Sequence, residues 1–288
     1  NGALAIDQRN AGAAQTIVAG GALAYTVDRW SAFATGANVT GQRISPTPGF
    51  YRYQFTGAAS NATINFGQRI EAINSFDMAG ATTSFSVDLA NSLLTSVAWT
   101  AYYANTTDTF GTVAAPTKTA FASGVFTVTS TVTRYNAQIV APPAANTGIE
   151  IVLTVSSQTS GTWTIGNLQF EKASAPSAFD YRPTASEILL CRRYTRPIPV
   201  GAQMIANATT GGNIPLVFES QMRAAPTVAA GSGSITVTYS STFSTTSAPT
   251  IGTASVDGAL LTLAGFTGLT AGIPYVISAL PATNHFLT

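Results

Sequence analysis

Apolar and polar residues alternate one by one through much of the first 170 positions. Phe85, Val87 and Leu89 fall on one side of the chain, with Ser84, Ser86 and Asp88 on the other. Ile149, Ile151, Leu153 and Val155 oppose Glu150 and Thr154, and Ile64 and Phe66 oppose Thr63 and Asn65. A period of two marks a β-strand with one side in a core and one in water, as in an antiparallel sandwich. The same reading predicts strands over 24–34, 51–56, 62–71, 82–89, 96–103, 117–122, 126–128, 131–140, 148–155 and 162–170. Breakers separate them: Ser45-Pro46-Thr47-Pro48-Gly49, Met78-Ala79-Gly80, Asn105-Thr106-Thr107-Asp108, Pro142-Pro143 and 157–161. About eight strands over ~150 residues with long connections fit a jelly roll better than a hairpin meander.

The last of these runs breaks parity. Trp163 and Ile165 share a side, but Leu168 and Phe170 fall opposite. A bulge at Gly166-Asn167 returns all four to the core, and glycine in a strand often marks one.

Beyond residue 183 the pattern changes. Thr184-Ala185-Ser186-Glu187 reads as a capping box opening a short helix over about 185–194, which Pro197 and Pro199 stop from extending. Residues 198–288 return to β patterning, with strands predicted at 204–208, 214–219, 227–229, 234–239, 253–256, 259–264 and 275–282. Val256-Asp257-Gly258-Ala259 reads as a two-residue hairpin turn. The expected fold is all-β: an arm over 1–22 with at most one short strand, a jelly-roll β-sandwich over 23–183, a linker helix over 184–197 and a small β-sandwich over 198–288.

Composition narrows the function. Of the 288 residues only 9% are charged and the formal net charge is +1, against roughly 25% charged in an ordinary domain. Hydroxyl and amide groups solvate such a surface, which suits an extracellular structural protein packed beside its copies. No basic run exceeds Arg192-Arg193, so the footprint of a nucleic-acid binder is missing. No apolar stretch reaches ~18 residues, so no membrane insertion is expected. No signal peptide is visible either. One Cys and one His leave Cys191 without an intrachain disulfide partner and exclude a His/Cys zinc site.

Two stretches carry a family resemblance. The first runs Asn167-Leu168-Gln169-Phe170-Glu171-Lys172 through Ser177-Ala178-Phe179-Asp180-Tyr181-Arg182-Pro183 to Glu187-Ile188-Leu189-Leu190-Cys191-Arg192-Arg193-Tyr194. The second is the opening Ala5-Ile6-Asp7-Gln8-Arg9-Asn10-Ala11-Gly12 with Val27-Asp28-Arg29-Trp30. Together they resemble bacteriophage tail-fibre and spike proteins with a carbohydrate-binding-module-like jelly roll, over roughly residues 3–195. The resemblance implies a non-enzymatic virion protein, a homotrimer that attaches to bacterial surface polysaccharide and joins other virion proteins. It also implies that Arg29 and Arg182 fasten the two ends of the module to Asp28, Glu171 or Asp180.

Candidate chemistry is thin. His285 stands near the chain end, where a catalytic histidine lacks a rigid setting. Glycoside hydrolysis needs two carboxylates across a cleft; Glu71, Asp77, Asp88, Asp108 and Glu150 could supply them, but each also reads as a solvent-side or turn residue. Asp77 and Asp88 could join loop carbonyls around Ca²⁺, with no acidic cluster to strengthen that reading; no other cofactor is expected. Aromatic residues give the better binding signal, because sugars stack their C–H faces on rings. Trp99 and Tyr103 read as core, as do Trp30 and Trp163. That leaves Tyr102, Asn105, Asp108 and Phe110 as candidate sugar contacts.

Overall fold

The computed structural model describes residues 1–229, 231, 233–280 and 286–288. It divides into two compact units, Asn1–Pro183 and Thr184–Thr288. His285 lies outside the described residues.

The first unit holds β1 (Gln15–Ile17), β2 (Ala24–Tyr25), β3 (Ser31–Thr35), β4 (Val39–Thr47), β5 (Phe50–Thr56), β6 (Thr63–Ile70), β7 (Thr82–Asn91), β8 (Ser96–Ala104), β9 (Lys118–Thr127), β10 (Thr133–Val140), β11 (Ile149–Ser156) and β12 (Thr162–Glu171). They form two six-stranded sheets, β1-β4-β5-β12-β7-β10 and β2-β3-β6-β11-β8-β9. From β5 to β12 the chain crosses between sheets at nearly every step, placing β5-β12-β7-β10 against β6-β11-β8-β9. This is the strand order of a jelly roll. The alternating apolar positions of both sheets meet in one core. Phe66 stacks on Trp30 and on Tyr53, with ring centroids 5.1 and 5.5 Å apart, and Phe55 stacks on Trp163 at 5.3 Å. Burying a side chain such as Phe55 or Phe66 contributes roughly 1.5–3 kcal/mol. Trp30, Trp99 and Trp163 are all buried in this core, and Tyr103 packs against it.

The parity break resolves as a bulge. β12 slips register against β7 between Gly166 and Gln169, and Asn167 takes a φ of 45°. Trp163, Ile165 and Leu168 are buried and Phe170 packs against the same core.

Other local readings change. The run 24–34 is two strands broken by a turn in which Arg29 has a φ of 72°. The runs 117–122 and 126–128 are one strand, β9, which slips register against β8 at Tyr102. β4 lies partly over the Pro-rich segment read as a breaker. Its neighbour β1 pairs only with Val39–Gly41, so Pro46 occupies an open edge where a missing N–H is tolerated. Nor is the polar side of β7 wet: Ser84 and Ser86 are buried. Arg134 donates to Ser86 Oγ at 2.6 Å, and its guanidinium lies 5.6 Å from the Phe179 ring centroid.

The opening residues, expected as an extended arm, carry the one short strand β1 but are packed into the unit. Leu4 and Ile17 are fully buried in the core. The Asn1 side-chain amide donates to the carbonyls of Ile6 and Asp28, both at 2.8 Å, and Trp30 Nε1 donates to the Asn1 carbonyl at 2.9 Å. Asp28 accepts from the Gln8 backbone and side chain; burial raises its pKa above the ordinary carboxylate value despite those bonds. Arg182 faces Asp180 at 3.9 Å with both side chains exposed, a geometry worth little.

The second unit opens with α1 (Thr184–Arg192), followed by β13 (Arg196–Pro197), β14 (Gln203–Ala208), β15 (Gly211–Val217), β16 (Val228–Ala229), β17 (Ile235–Thr238), β18 (Thr242–Thr245), β19 (Thr250–Ala254), β20 (Gly258–Leu263), β21 (Pro274–Ala279) and β22 (Phe286–Leu287). A seven-stranded sheet, β18-β17-β21-β14-β15-β20-β19, and a three-stranded one, β13-β22-β16, make its two unequal layers. Met204, Ile214, Leu261, Tyr275 and Ile277 share their core with Leu287 of the smaller sheet. Cys191 is buried on α1. The Asp-Gly hairpin forms one residue earlier than its sequence suggests: Ser255 N–H donates to the Gly258 carbonyl at 2.8 Å, so Val256 and Asp257 make the turn. Gly258 instead pairs with Val217, and a β-carbon there would lie 2.6 Å from the Leu216 carbonyl oxygen. No described helix is long and apolar enough to cross a membrane.

Candidate functional site

On β11, Ile149, Ile151, Leu153 and Val155 face the core, so Glu150, Val152 and Thr154 face outward. Register then sets three rows across the sheet. Glu150 stands between Arg69 on β6 and Tyr102 on β8; Val152 stands between Gly67 and Thr100; Thr154 stands between Asn65 and Ala98. β3 adds Ser31 to the middle row and Phe33 to the third. β9 adds Ser123 and Val125 to the same two rows.

The first row is a ladder of rings and charges. Arg69 lies over the Phe110 ring, 5.3 Å from its centroid. Its Nε donates to Glu150 Oε1 at 3.0 Å and its Nη2 to the Gly111 carbonyl at 3.1 Å. Lys118 Nζ bonds Glu150 Oε2 and sits 4.2 Å from the Tyr102 ring centroid. The order is therefore Phe110, Arg69, Glu150, Lys118, Tyr102, drawn from four strands and the loop after β8. Glu150 is only 3% exposed, and both its oxygens face cations. A buried carboxylate needs such partners. The middle row, Ser31, Gly67, Val152, Thr100 and Ser123, is made of small side chains. A β-carbon on Gly67 would come 2.7 Å from the Ile151 carbonyl oxygen. The result is a low track across the strands, bounded on one side by the ladder and on the other by Phe33 and the exposed Val125.

At the end of the strands beside the ladder, the loops after β6, β8 and β10 meet. Asp108 Oδ1 accepts the Ala72 N–H at 2.7 Å, while the Asp108 N–H donates to the Thr147 carbonyl at 2.9 Å. Asn105 is exposed, and its Oδ1 accepts the Thr119 hydroxyl at 2.7 Å.

The four residues singled out from sequence thus have different settings. Tyr102 belongs to the ladder, with Lys118 against its ring. Asn105 is open to solvent. Asp108 braces two loops. Phe110 is buried, 4% exposed, under Arg69. Sequence reasoning missed Arg69 and Lys118, which lie 81 and 32 residues from Glu150 along the chain. The signal it had was Glu150 itself, a charge in an otherwise apolar run.

Asp88 is held apart from this row. It sits on the outer side of the opposite sheet, between Arg52 and Arg134, each at 3.2 Å. Asn167 Nδ2 donates to it at 2.8 Å. Donors on both oxygens leave it poorly placed for Ca²⁺. Among the described residues no group of three or more His, Cys, Asp or Glu is placed to hold a metal ion.

No family model matches the chain. No curated protein matches it. Several solved structures resemble it loosely. The enzymatically active domain of bacteriophage CBA120 tailspike protein 4 is 20% identical over 50% of this chain and 19% of that one, with a TM-score of 0.37; the match thus spans about a fifth of that solved chain's length. A CBM4 structure is 11% identical over 58% of this chain and 97% of that one, with a TM-score of 0.38. A family 11 carbohydrate-binding module from Clostridium thermocellum, solved with a β-1,3-1,4-mixed-linked tetrasaccharide, is 12% identical over 54% of this chain and 97% of that one, at 0.34. Likeness at this level carries no weight for function.

Proposed function

We propose that this chain is a virion fibre or spike protein that adheres to polysaccharide on the bacterial surface without cleaving it. The observation that carries the reading is the track beside the ladder. Hydroxyl-bearing and small residues line its floor, and one wall presents the partly exposed cations Arg69 and Lys118 beside the Tyr102 ring. Sites of this make-up suit sugars, whose hydroxyls need oriented donors and acceptors and whose C–H faces need apolar surface. The sequence resemblance at both ends of the first unit supports the phage setting, and with it a homotrimer displayed on the particle surface. Repetition of a weak site in such an assembly raises adhesion through avidity. The non-enzymatic reading is supported by the carboxylates: Glu150 and Asp88 lie on opposite outer sides of the sandwich, each held by cations.

A glycan array with the intact protein tests the reading. Binding by the wild type, weakened by Arg69→Gln and Tyr102→Ala, is the expected outcome; no binding at high protein concentration overturns it. A fall in polymer viscosity on incubation, abolished by alanine at a carboxylate pair, would overturn the non-enzymatic part.

A second reading, a structural adaptor or decoration protein, is favoured by one feature of the second unit. The outer side of its seven-stranded sheet exposes Ile205 and Val276 among Gln203, Asn213 and Thr262, an uncharged surface suited to packing on another virion protein.

A further inference from the structure

The ladder has rings, but Lys118 covers one side of Tyr102 and Arg69 lies over the buried Phe110. A pyranose needs a bare ring. One stands in the loop after β6. Ile73 is 67% and Phe76 65% exposed, an unusual state for two large apolar side chains three residues apart.

The loop holds them there. Ala72–Asn74 form a 3₁₀ turn whose winding carries on to Phe76, and in helical winding residues three apart are neighbours. Phe76 N–H donates to the Ala72 carbonyl at 2.9 Å and Met78 N–H to the Ser75 carbonyl at 3.0 Å. Ser75 is fully buried, with its Oγ 3.4 Å from the Ala145 carbonyl. Met78 and Ala79 pack against the core. The apolar needs of the loop are thus met by Met78 and Ala79, while Ile73 and Phe76 are displayed.

The loop that carries the patch is anchored beside the ladder. Asp108 takes the Ala72 N–H, and Asp108 Oδ1 and Phe110 Cζ both lie against Gly148, within 3.4 Å of where its β-carbon would stand. Size argues against a protein partner. A stable protein interface covers about 800 Å² on each side, whereas Ile73 and Phe76 are flanked by the exposed polar residues Asn74 and Asp77. Two apolar side chains ringed by an amide and a carboxylate match one sugar ring and its hydroxyls.

We propose that Ile73 and Phe76 form the stacking platform of the glycan site, receiving the C–H face of a pyranose ring at the loop end of the ladder. The inference rests on the polysaccharide reading above and adds residues to it.

The test uses the full chain and three soluble polymers: mannan, dextran and polygalacturonate. Trp30, Trp99 and Trp163 are buried, so Phe76→Trp adds an exposed reporter. Its emission is expected to shift to the blue, and its quenching by acrylamide to fall, on adding whichever polymer the wild type binds. Phe76→Ala is expected to weaken that binding about tenfold, near the upper range for a ring contact. If Phe76→Ala binds as the wild type does while Arg69→Gln loses binding, this inference fails and the glycan reading stands. If none of the polymers binds the wild type, both fail together. A changed sedimentation mass for Phe76→Ala with unaltered polymer binding would make the patch a protein contact and overturn the proposal.

Discussion

The Leu168 N–H donates to the Gly2 carbonyl at 3.0 Å, tying the first residues of the chain to the bulge that ends the sandwich. The approach is possible because residue 2 has no side chain. A β-carbon there would lie 2.1 Å from the Leu168 carbonyl oxygen and 3.4 Å from the Phe179 ring. Gly2→Ala must therefore push the opening segment off β12, and Asn1, bonded to Ile6, Asp28 and Trp30, moves with it. The expected cost is about 1–3 kcal/mol. Urea unfolding would read it as a lower midpoint at unchanged slope.

Glu150 holds two cations at once, and removing it leaves both without their carboxylate. Breaking a buried pair costs about 3–5 kcal/mol, but Arg69 and Lys118 keep 30% and 17% of their side chains exposed. Partial solvation should reduce the loss to roughly 1–3 kcal/mol. Thermal unfolding of Glu150→Ala should show it, with Glu150→Gln intermediate because the amide oxygen still accepts a hydrogen bond.

Asn167 occupies a left-handed conformation, φ 45°, and donates to Asp88. Asn167→Gly should keep the backbone and lose only the side-chain bond. Asn167→Val adds a β-branched clash in that conformation, which costs about 1–3 kcal/mol. Equal stability of the two variants would show that the bulge does not need the left-handed geometry.

Glu171 fastens the segment that leaves β12. Burial alone would raise its pKa, but hydrogen bonds from the Ser177 N–H, Gln169 and the Ser177 hydroxyl outweigh it and bring the value below the ordinary 4.5. A depressed carboxylate contributes stability that is present above the unfolded pKa and lost as pH falls through the folded one. Docking of Ser177 should therefore hold at neutral pH and weaken below about pH 4.5. The protection of the Ser177 amide, taken as its exchange rate relative to the intrinsic rate at each pH, should fall in that acid range in the wild type and be low at every pH in Glu171→Ala.

Much of the sandwich is legible in the alternation of the chain alone. Alternation in 82–89 and 148–155 gave strands and their buried side, because a pleated strand turns successive side chains to opposite faces whatever its partners are. The parity break at Gly166-Asn167 gave the bulge for the same reason. Local signals did less well where a neighbour decides. Pro46 looked like a stop until the short reach of β1 left it on an open edge. Gly258 looked like a turn residue until β15 came too close for a side chain. Ser86 looked wet until Arg134 lay across it.

The candidate site divides in the same way. Sequence alone determined that the chain is all-β, poor in charge and without a His/Cys metal site, and it marked Glu150 and Tyr102 as polar-side residues of their strands. Only the tertiary structure brought Arg69 and Lys118 to Glu150, covered Phe110 and left Ile73 and Phe76 bare. The reason is physical: a strand's own residues fix which side each side chain takes, but which side chains meet across a sheet depends on register between segments far apart along the chain.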